Sequence, residues 1–398
     1  RDVVFFENEF GSGHEDTVRE DVVQFDANEP IHYIAKEDVI TQNDNVNSEE
    51  TTNEEEVPGT SSEASSEERR YPLRERKSRY FPDQIRHEAF LASFGEPTMS
   101  CALAPCVYHR GSGETKVIIG IYVDDILLLT RNEKEKHDVK RHLALEFEIR
   151  DLGQVSNVLG IRVTRDKNKI FLDQSNYITE LLDKYNMSNC SSVTTPFVTG
   201  KKLEKASISD KRPYRELIGS LNYLSICTRP DISHTVSYLS KFNECHNEEH
   251  WLAAKRVLRY LKGTSNFFLC YEKSDLRITG YVDADFANDE SDRKSCTGYA
   301  FLMGNGAISW ESKKQSNISI STCEAEYVAI SEACKEAKFL RCLLSDLTGE
   351  VICIDLYNDN QSAHVWAYEH MPYTRTKHID IKHAKFTNGL GIKSKCCD

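Results

Sequence analysis

Apolar and polar residues follow one another in blocks that predict a β-hairpin near residue 120. Two runs of β-branched and aliphatic residues, 118–121 and 126–129, flank the sequence Tyr122-Val123-Asp124-Asp125. Short apolar runs on either side of a polar pair predict two paired strands. We therefore expect Asp124 and Asp125 side by side at the tip of the hairpin.

Two further patterns follow this hairpin. Helical spacing dominates as far as about residue 261, with one short hairpin that turns at Lys167-Asn168. The expected helices cover 133–147, 175–185 with Ser175 as its cap, 214–227, 232–242 and 249–261. Strands are then expected over 267–271, 277–282, 298–303 and 307–310, a helix over 322–347, a strand over 351–357 and a helix over 361–369. That order predicts a mixed sheet with helices packed on its faces.

Composition changes this picture mainly in the first hundred residues. The chain has 398 residues, 39% of them hydrophobic, which is enough for two or three domains. Its net charge of -13 is uneven, because residues 41–68 hold nine acids and no Lys or Arg. This segment has too little apolar surface to offset chain entropy and is expected to be disordered. The six cations of residues 69–79 either contact phosphates or form a solvated linker.

The spacing and number of the cysteines argue against a Cys-x-x-Cys metal site and against a disulfide framework. Thirteen cysteines show no Cys-x-x-Cys pair, and their odd number argues against a disulfide framework. Reduced thiols indicate a cytoplasmic or nuclear setting. The cluster of Cys245, His246 and His250 is interpreted as the edge of a helix rather than a ligand set. No apolar run reaches the ~20 residues of a membrane span, and we expect no membrane partner.

Asp124 and Asp125 are the first candidates for chemistry. Adjacent carboxylates repel each other, and a bound divalent cation relieves that repulsion while accepting oxygen ligands. The alternative is a solvated turn between buried strands. The Tyr-Val-Asp-Asp turn between strands resembles the metal-binding turn of reverse transcriptases.

A series of ordered motifs extends this resemblance. Downstream of the hairpin they include Gln174-Ser175-Asn176-Tyr177-Ile178, Ile218-Gly219-Ser220-Leu221-Asn222-Tyr223-Leu224, Thr228-Arg229-Pro230-Asp231-Ile232 and Arg259-Tyr260-Leu261-Lys262-Gly263-Thr264. They continue through Tyr281-Val282-Asp283-Ala284-Asp285, Ala325-Glu326-Tyr327, Asp359-Asn360-Gln361-Ser362 and Lys377-His378-Ile379-Asp380. From about Pro105 to about His383 the chain resembles the Pol polyprotein of copia-type retrotransposons.

The resemblance implies a multidomain α+β and α/β chain. Residues 1–40 would be the remnant of an integrase tail, and 41–104 an acidic then basic linker with a deletion junction. Residues 105–265 would hold part of a reverse transcriptase, namely the palm hairpin, a helical thumb and the connection. Residues 266–398 would form a ribonuclease H-like domain with an altered C-terminus. The polymerase fingers and a further metal-binding Asp have no counterpart between Phe81 and Ala104, so the polymerase is expected to be inactive.

The same resemblance assigns the nuclease site. Asp283, Glu326 and Asp359 would be the catalytic, metal-binding acids, with Asp380 as a fourth. Asp285 and Glu324 are neighbours that the family motifs do not select. Two Mg²⁺ ions, for which Mn²⁺ can substitute, would be held there, since Mg²⁺ prefers oxygen ligands. Asp124 and Asp125 would be the metal ligands of the polymerase turn.

The expected activity is hydrolysis of RNA in an RNA/DNA hybrid, without a small-molecule cofactor. Intact family members associate with virus-like particles. The basic loops Arg293-Lys294-Ser295 and Lys313-Lys314-Gln315 either contact substrate phosphates or are simply solvated. The alternative from another class is a catalytically dead remnant that binds nucleic acid or does not fold stably.

Overall fold

The computed structural model describes residues 31–36, 99–101, 104–123, 125–206, 211–274, 276–289, 291–368 and 391–394. Asp124, Asp380 and most of the expected linker of residues 41–104 lie outside them. The chain divides into two units: residues 106–154 with 31–100, and residues 155–398 with 1–30 and 101–105. Each unit is described by itself.

The first unit contains the predicted hairpin. Its strands are β1 (Ile31–Lys36), β2 (Met99–Cys101), β3 (Ala104–Arg110), β4 (Val117–Tyr122), β5 (Asp125–Thr130) and β6 (Ile149–Gln154), in the order β2-β3-β4-β5-β1-β6. Tyr122 pairs with Asp125 across a two-residue turn. Val123 in that turn has φ +53°, the left-handed conformation that such turns require. The hairpin prediction is confirmed.

A helix covers one face of this sheet. Helix α1 (Glu133–Glu146) begins at Asn132, whose side chain accepts hydrogen bonds from two backbone amides of the first turn. It buries Val139 and Leu143 against Ile119 and Leu128 of the hairpin. The predicted helix over 133–147 is therefore present. Strand β1 was not predicted, because its pairing partners lie about a hundred positions later in the chain.

The second unit begins with a small antiparallel sheet. Its strands are β7 (Asn157–Val158), β8 (Ile161–Asp166), β9 (Lys169–Asp173) and β10 (Leu269–Glu272), in the order β10-β9-β8-β7. Lys167, with φ +48°, turns the predicted hairpin. Strand β10 was expected in the nuclease sheet, but it pairs with β9 instead. Which neighbour a short strand joins depends on tertiary packing, which local pattern does not contain.

Four helices then pack into one apolar core. They are α2 (Ser175–Lys184), α3 (Tyr214–Cys227), α4 (Ser233–Ser240) and α5 (Glu248–Gly263). Buried residues such as Leu217, Leu221 and Leu258 fill the space between them. All four agree with predicted helices within a few residues. The predicted cap was wrong: Ser175 is the first helical residue, and the side chain of Gln174 at the cap position makes no capping hydrogen bond.

The Cys/His cluster has a structural role. His250 and Asn247 form a capping box at the start of α5, in which the His250 ring accepts a hydrogen bond from the Asn247 amide at 3.1 Å. The His246 ring stacks on Tyr214 with centroids 4.6 Å apart. The interpretation as a helix edge is confirmed.

Arg229 lies almost fully buried beside this helical core. Its guanidinium donates to both carboxylate oxygens of Asp231, at 3.0 and 2.7 Å, and to the Thr264 carbonyl at 3.0 Å. A buried charge needs such partners because it has lost its water. The network ties the end of α3 to the end of α5.

The last part of the chain forms the mixed sheet that the sequence predicts. Its strands are β11 (Ile278–Asp285), β12 (Cys296–Met303), β13 (Gly306–Lys314), β14 (Ile354–Asn358) and β15 (Gly391–Ser394), in the order β13-β12-β11-β14-β15. Strand β14 runs parallel to both β11 and β15, and the other pairs are antiparallel. Helices α6 (Thr322–Thr348) and α7 (Gln361–Tyr368) supply the helical layer. Strand β15 was not predicted, since its four residues contain only one large apolar side chain and its pairing partner β14 lies more than thirty positions earlier.

A ridge of small residues lets α6 approach the sheet closely. Ala325, Ala329, Ala333 and Ala337 recur every fourth position and are completely buried, so they share one face of the helix. Phe301 fills the space beneath them. No helix in the described ranges has the length and apolarity needed to span a bilayer.

Candidate metal centre

Parallel pairing brings two predicted acids to the same edge of the sheet. Tyr281 of β11 lies opposite Tyr357 of β14. Asp283 and Asp359 each come two residues later, so the common strand direction carries both toward one end. Asp283 is still within β11, and its carboxylate accepts a hydrogen bond from the Ala284 amide at 2.9 Å. Asp359 follows directly after β14 and is exposed.

Helix α6 supplies the third acid. Its start is held by Ser321, whose hydroxyl accepts a hydrogen bond from the Glu324 amide at 3.1 Å. Glu326 follows in the first two turns and is only 6% exposed. Since the helix packs on β11 and β12, the Glu326 side chain points toward the edge where Asp283 and Asp359 emerge.

The structure brings these three carboxylates together. One ligand oxygen from each of Asp283, Glu326 and Asp359 lies within 4.8 Å of the other two. Within the described ranges this is the one group of three or more potential metal ligands. The half-buried Asp283 and the exposed Asp359 open it to solvent on one side, while Glu326 closes the other.

The electrostatics of Glu326 reflect this crowding. Burial and, to a smaller extent, the neighbouring Asp283 and Asp359 together raise the pKa of the Glu326 carboxyl to about 8. A hydrogen bond from Asn358 opposes the shift by stabilising the ionised form. Without a cation, the cluster therefore favours a protonated Glu326 at neutral pH.

Asn358 is the residue that sequence reasoning missed. It ends β14, is 2% exposed, and donates a hydrogen bond from Nδ2 to Glu326 Oε2 at 2.9 Å. The pattern held one signal, an amide at the last position of the strand Ile354–Asn358, directly before a candidate ligand. That signal identifies a partner only once the fold has placed Glu326 opposite it.

The two neighbouring acids have other partners. Glu324 is buried, but its carboxylate turns back to accept a hydrogen bond from the Ile320 amide at 2.8 Å. Asp285 accepts a hydrogen bond from the Asn288 side chain. Neither belongs to the group formed by the three acids.

The other predicted residues are not brought to this centre. Asp125 begins β5 and is not part of a group of three potential ligands in the described ranges, and the placement of Asp124 and Asp380 lies outside them. The basic loop expected at 313–315 is wrong, because Lys313 and Lys314 are the last residues of β13; Lys314 forms ion pairs with Asp289 and Asp292 at 2.5 and 2.8 Å. Gln315 is buried and donates to the Ala325 carbonyl at 2.9 Å, so it supports the start of α6.

Comparisons with known proteins agree with the motifs. Residues 95–199 match a family described as reverse transcriptase (RNA-dependent DNA polymerase). The retrovirus-related Pol polyprotein from transposon TNT 1-94 of Nicotiana tabacum is 40% identical over 291 residues, which are 70% of this chain and 22% of that protein. The Pol polyprotein from transposon RE1 of Arabidopsis thaliana is 36% identical over 68% of this chain and 19% of that protein. A putative transposon Ty5-1 protein of Saccharomyces cerevisiae is 32% identical, with 58% of this chain covering 77% of it.

The chain belongs to the family of retrovirus-related Pol polyproteins of copia-type transposons. It spans about a fifth of the length of the first two curated relatives. Among solved structures, a foamy viral protease-reverse transcriptase in complex with RNA/DNA hybrid aligns at a TM-score of 0.43 and 15% identity, over 70% of this chain and 36% of that one. The ribonuclease H1 called LC11 aligns at a TM-score of 0.24 and 14% identity, over 30% of this chain and 83% of that one.

Proposed function

We propose that this Pol chain hydrolyses the RNA strand of an RNA/DNA hybrid at the centre formed by Asp283, Glu326 and Asp359. The observation that carries the proposal is the convergence of three carboxylates within 4.8 Å at one edge of the mixed sheet. The three acids come from three elements that are far apart in the sequence. Surface acids that cluster by chance need no such arrangement. The family to which the chain belongs adds the substrate class.

The donor set fits a hard divalent cation such as Mg²⁺. All three ligands are carboxylates, and Mg²⁺ prefers oxygen donors from a small number of protein groups. Burial first, and then the charges of Asp283 and Asp359, raise the pKa of Glu326, and a cation bound among the three acids would relieve the repulsion between them. When bound, two such ions would supply a nucleophilic water and neutralise charge on the phosphate.

The remaining steps depend on the protein's own side chains. Asp359 is exposed and Asp283 half-buried, so the phosphodiester would approach from their side. Glu326 lies behind them, where its hydrogen bond with Asn358 restricts its motion. An acid held in this way keeps its geometry as substrate enters and leaves, which reduces reorganisation during the reaction.

The polymerase part of the chain is incomplete in sequence. The hairpin with Asp125 is present, but the sequence between Phe81 and Ala104 lacks the family's fingers and its further metal-binding Asp. A two-metal site for nucleotide transfer needs ligands from both segments. We propose that this chain cannot extend a primer by itself.

The test is cleavage by the full chain of a hybrid whose RNA strand is labelled. Asp283→Asn and Asp359→Asn each remove a charge from the centre with little change of shape. Each is expected to lower turnover by about 10² or more, since metal-borne stabilisation supplies several kcal/mol. Asp285→Asn on β11 and Glu324→Gln on α6, the helix that carries Glu326, are the controls and are expected to change turnover little.

Two results would contradict the proposal. If the controls are as damaging as Asp283→Asn, the assignment within each motif is wrong. If the folded wild-type chain retains hybrid but releases no RNA fragments with Mg²⁺ or Mn²⁺, it is a binding remnant and not a nuclease.

A further inference from the structure

Asn358 makes an unusual set of hydrogen bonds for one buried side chain. Its Nδ2 donates to the Val282 carbonyl at 3.0 Å and to Glu326 Oε2 at 2.9 Å. Its Oδ1 accepts from the Asn360 amide at 3.0 Å. Both amide protons are therefore used, together with the carbonyl oxygen.

Each of these partners belongs to a segment that carries one acid of the centre. Val282 directly precedes Asp283, and Asn360 directly follows Asp359. The third partner is the Glu326 carboxylate itself. One side chain therefore links a strand, a helix and a loop at the residues where they present their carboxylates.

We propose that Asn358 is the positioning residue of this metal centre. Its amide donors hold the Glu326 carboxylate and the end of β11, and its carbonyl closes a turn around Asp359 of the kind that Asn side chains favour. The inference rests on the proposed metal centre and extends it to a residue that touches neither substrate nor cation.

The turn itself is anchored on its other side. The His364 ring lies with Nε2 3.2 Å from the Asn358 carbonyl oxygen. The Asn360 side chain accepts a hydrogen bond from the Ala363 amide at 2.9 Å, at the start of α7. These bonds already hold the backbone of the turn. The three hydrogen bonds of the Asn358 side chain therefore act mainly on the positions of the acids.

The physical need for such a residue follows from the charges. A cation needs Glu326 in its ionised form beside Asp283 and Asp359. Three ionised carboxylates within 4.8 Å repel one another and separate unless something holds them. Groups that orient metal ligands typically contribute 10- to 100-fold to metal affinity. Removing the Asn358 amide should therefore weaken cation binding while leaving the affinity for hybrid nearly unchanged.

The experiment measures Mn²⁺ binding to the full chain by electron paramagnetic resonance, counting only the binding that Asp283→Asn abolishes. Asn358→Ala removes all three hydrogen bonds and is expected to weaken this binding by about 10- to 100-fold. Asn358→Ser keeps a short acceptor for the Asn360 amide but cannot replace the two amide donors. Its affinity should fall between those of Asn358→Ala and the wild type.

The matched control is Ile354→Val on the same strand. Ile354 is 1% exposed, so the substitution loosens β14 through a lost methyl group without touching the hydrogen bonds. It should lower the melting temperature and leave Mn²⁺ affinity unchanged. Hybrid cleavage measured against Mg²⁺ concentration gives a second readout, in which Asn358→Ala should recover activity at high Mg²⁺ with an unchanged KM for hybrid.

The outcomes separate this inference from the proposed function. Equal Mn²⁺ affinity in Asn358→Ala and wild type overturns the positioning role, as does an equal loss in Ile354→Val. If Asn358→Ser binds Mn²⁺ as tightly as the wild type, the turn at Asp359 is sufficient for cation binding. The proposed role of the hydrogen bond to Glu326 is then wrong. If Asn358→Ala does not fold, Asn358→Ser decides. A wild type that binds Mn²⁺ but cleaves no hybrid refutes only the proposed function, and one without any Asp283-dependent Mn²⁺ binding refutes both.

Discussion

Replacing Glu326 by Gln is expected to stabilise the metal-free protein and to remove much of its pH dependence. Glu326 is 6% exposed, and its burial together with the nearby Asp283 and Asp359 raises the pKa of its carboxyl to about 8 from an ordinary value of 4.5. The folded state therefore holds a proton more tightly than the unfolded state does. As pH rises from 4.5 toward 8, the unfolded chain ionises first, and the free energy of unfolding falls.

The size of the effect follows from the interval between the two pKa values. Each pH unit within it costs about 1.4 kcal/mol of stability. Between pH 5 and pH 7 the wild-type protein should therefore lose about 2–3 kcal/mol. Gln carries no charge, and its amide can donate to Asp283 as the protonated acid does. At pH 7 the variant should be more stable by up to about 3 kcal/mol, an upper limit because water entering the site screens the charges.

Urea denaturation in EDTA, followed by Trp fluorescence at pH 5 and pH 7, measures this difference. Trp366 packs on Tyr327, next to Glu326, with ring centroids 6.2 Å apart, so it reports on this part of the protein. Glu324→Gln is the control, since Glu324 is buried on the same helix but lies outside the acid group. Mg²⁺ should raise the stability of the wild type at pH 7 and that of Glu326→Gln much less. An equal fall in stability from pH 5 to pH 7 in the wild type and Glu326→Gln would refute the reasoning.

Three further outcomes are expected. The chain should incorporate no nucleotide on a primed RNA template with Mg²⁺ or Mn²⁺, and extension that Asp124→Asn abolishes would contradict this. Gly280→Ala should lower the free energy of unfolding by about 1–3 kcal/mol through overpacking, because the added carbon would lie 2.5 Å from Phe301 Cε1. An unchanged urea midpoint would show that the core relaxes around it. Asp231→Asn should cost about 2–3 kcal/mol, since it leaves the buried Arg229 without its counter-charge, and a much smaller loss in the same titration would show that water replaces the carboxylate.

Most of the regular structure could be predicted from the sequence because it depends on local periodicity. Helices such as α3 and α5 repeat apolar residues at helical spacing, and each buries that face in the core. The hairpin of β4 and β5 needs only two apolar runs and a short turn. The ordered motifs also identified the family, and three acids selected by those motifs do converge.

Other features depend on contacts between distant parts of the chain. Strand β10 joins β9 and not the mixed sheet, and β1 inserts beside β5. Nothing in a run of four to six residues specifies which sheet edge it will meet, because that choice depends on tertiary packing and long-range closure.

The candidate site divides in the same way. The sequence by itself determined which acids follow strands and begin a helix, because those positions are set by local pattern and motif. Only the tertiary structure decided that Glu326 is buried with a raised pKa, that Glu324 turns away to the Ile320 amide, and that Asn358 joins the three segments. Burial and hydrogen-bond partners belong to the folded arrangement of strands and helix, so they cannot be inferred from the order of residues alone.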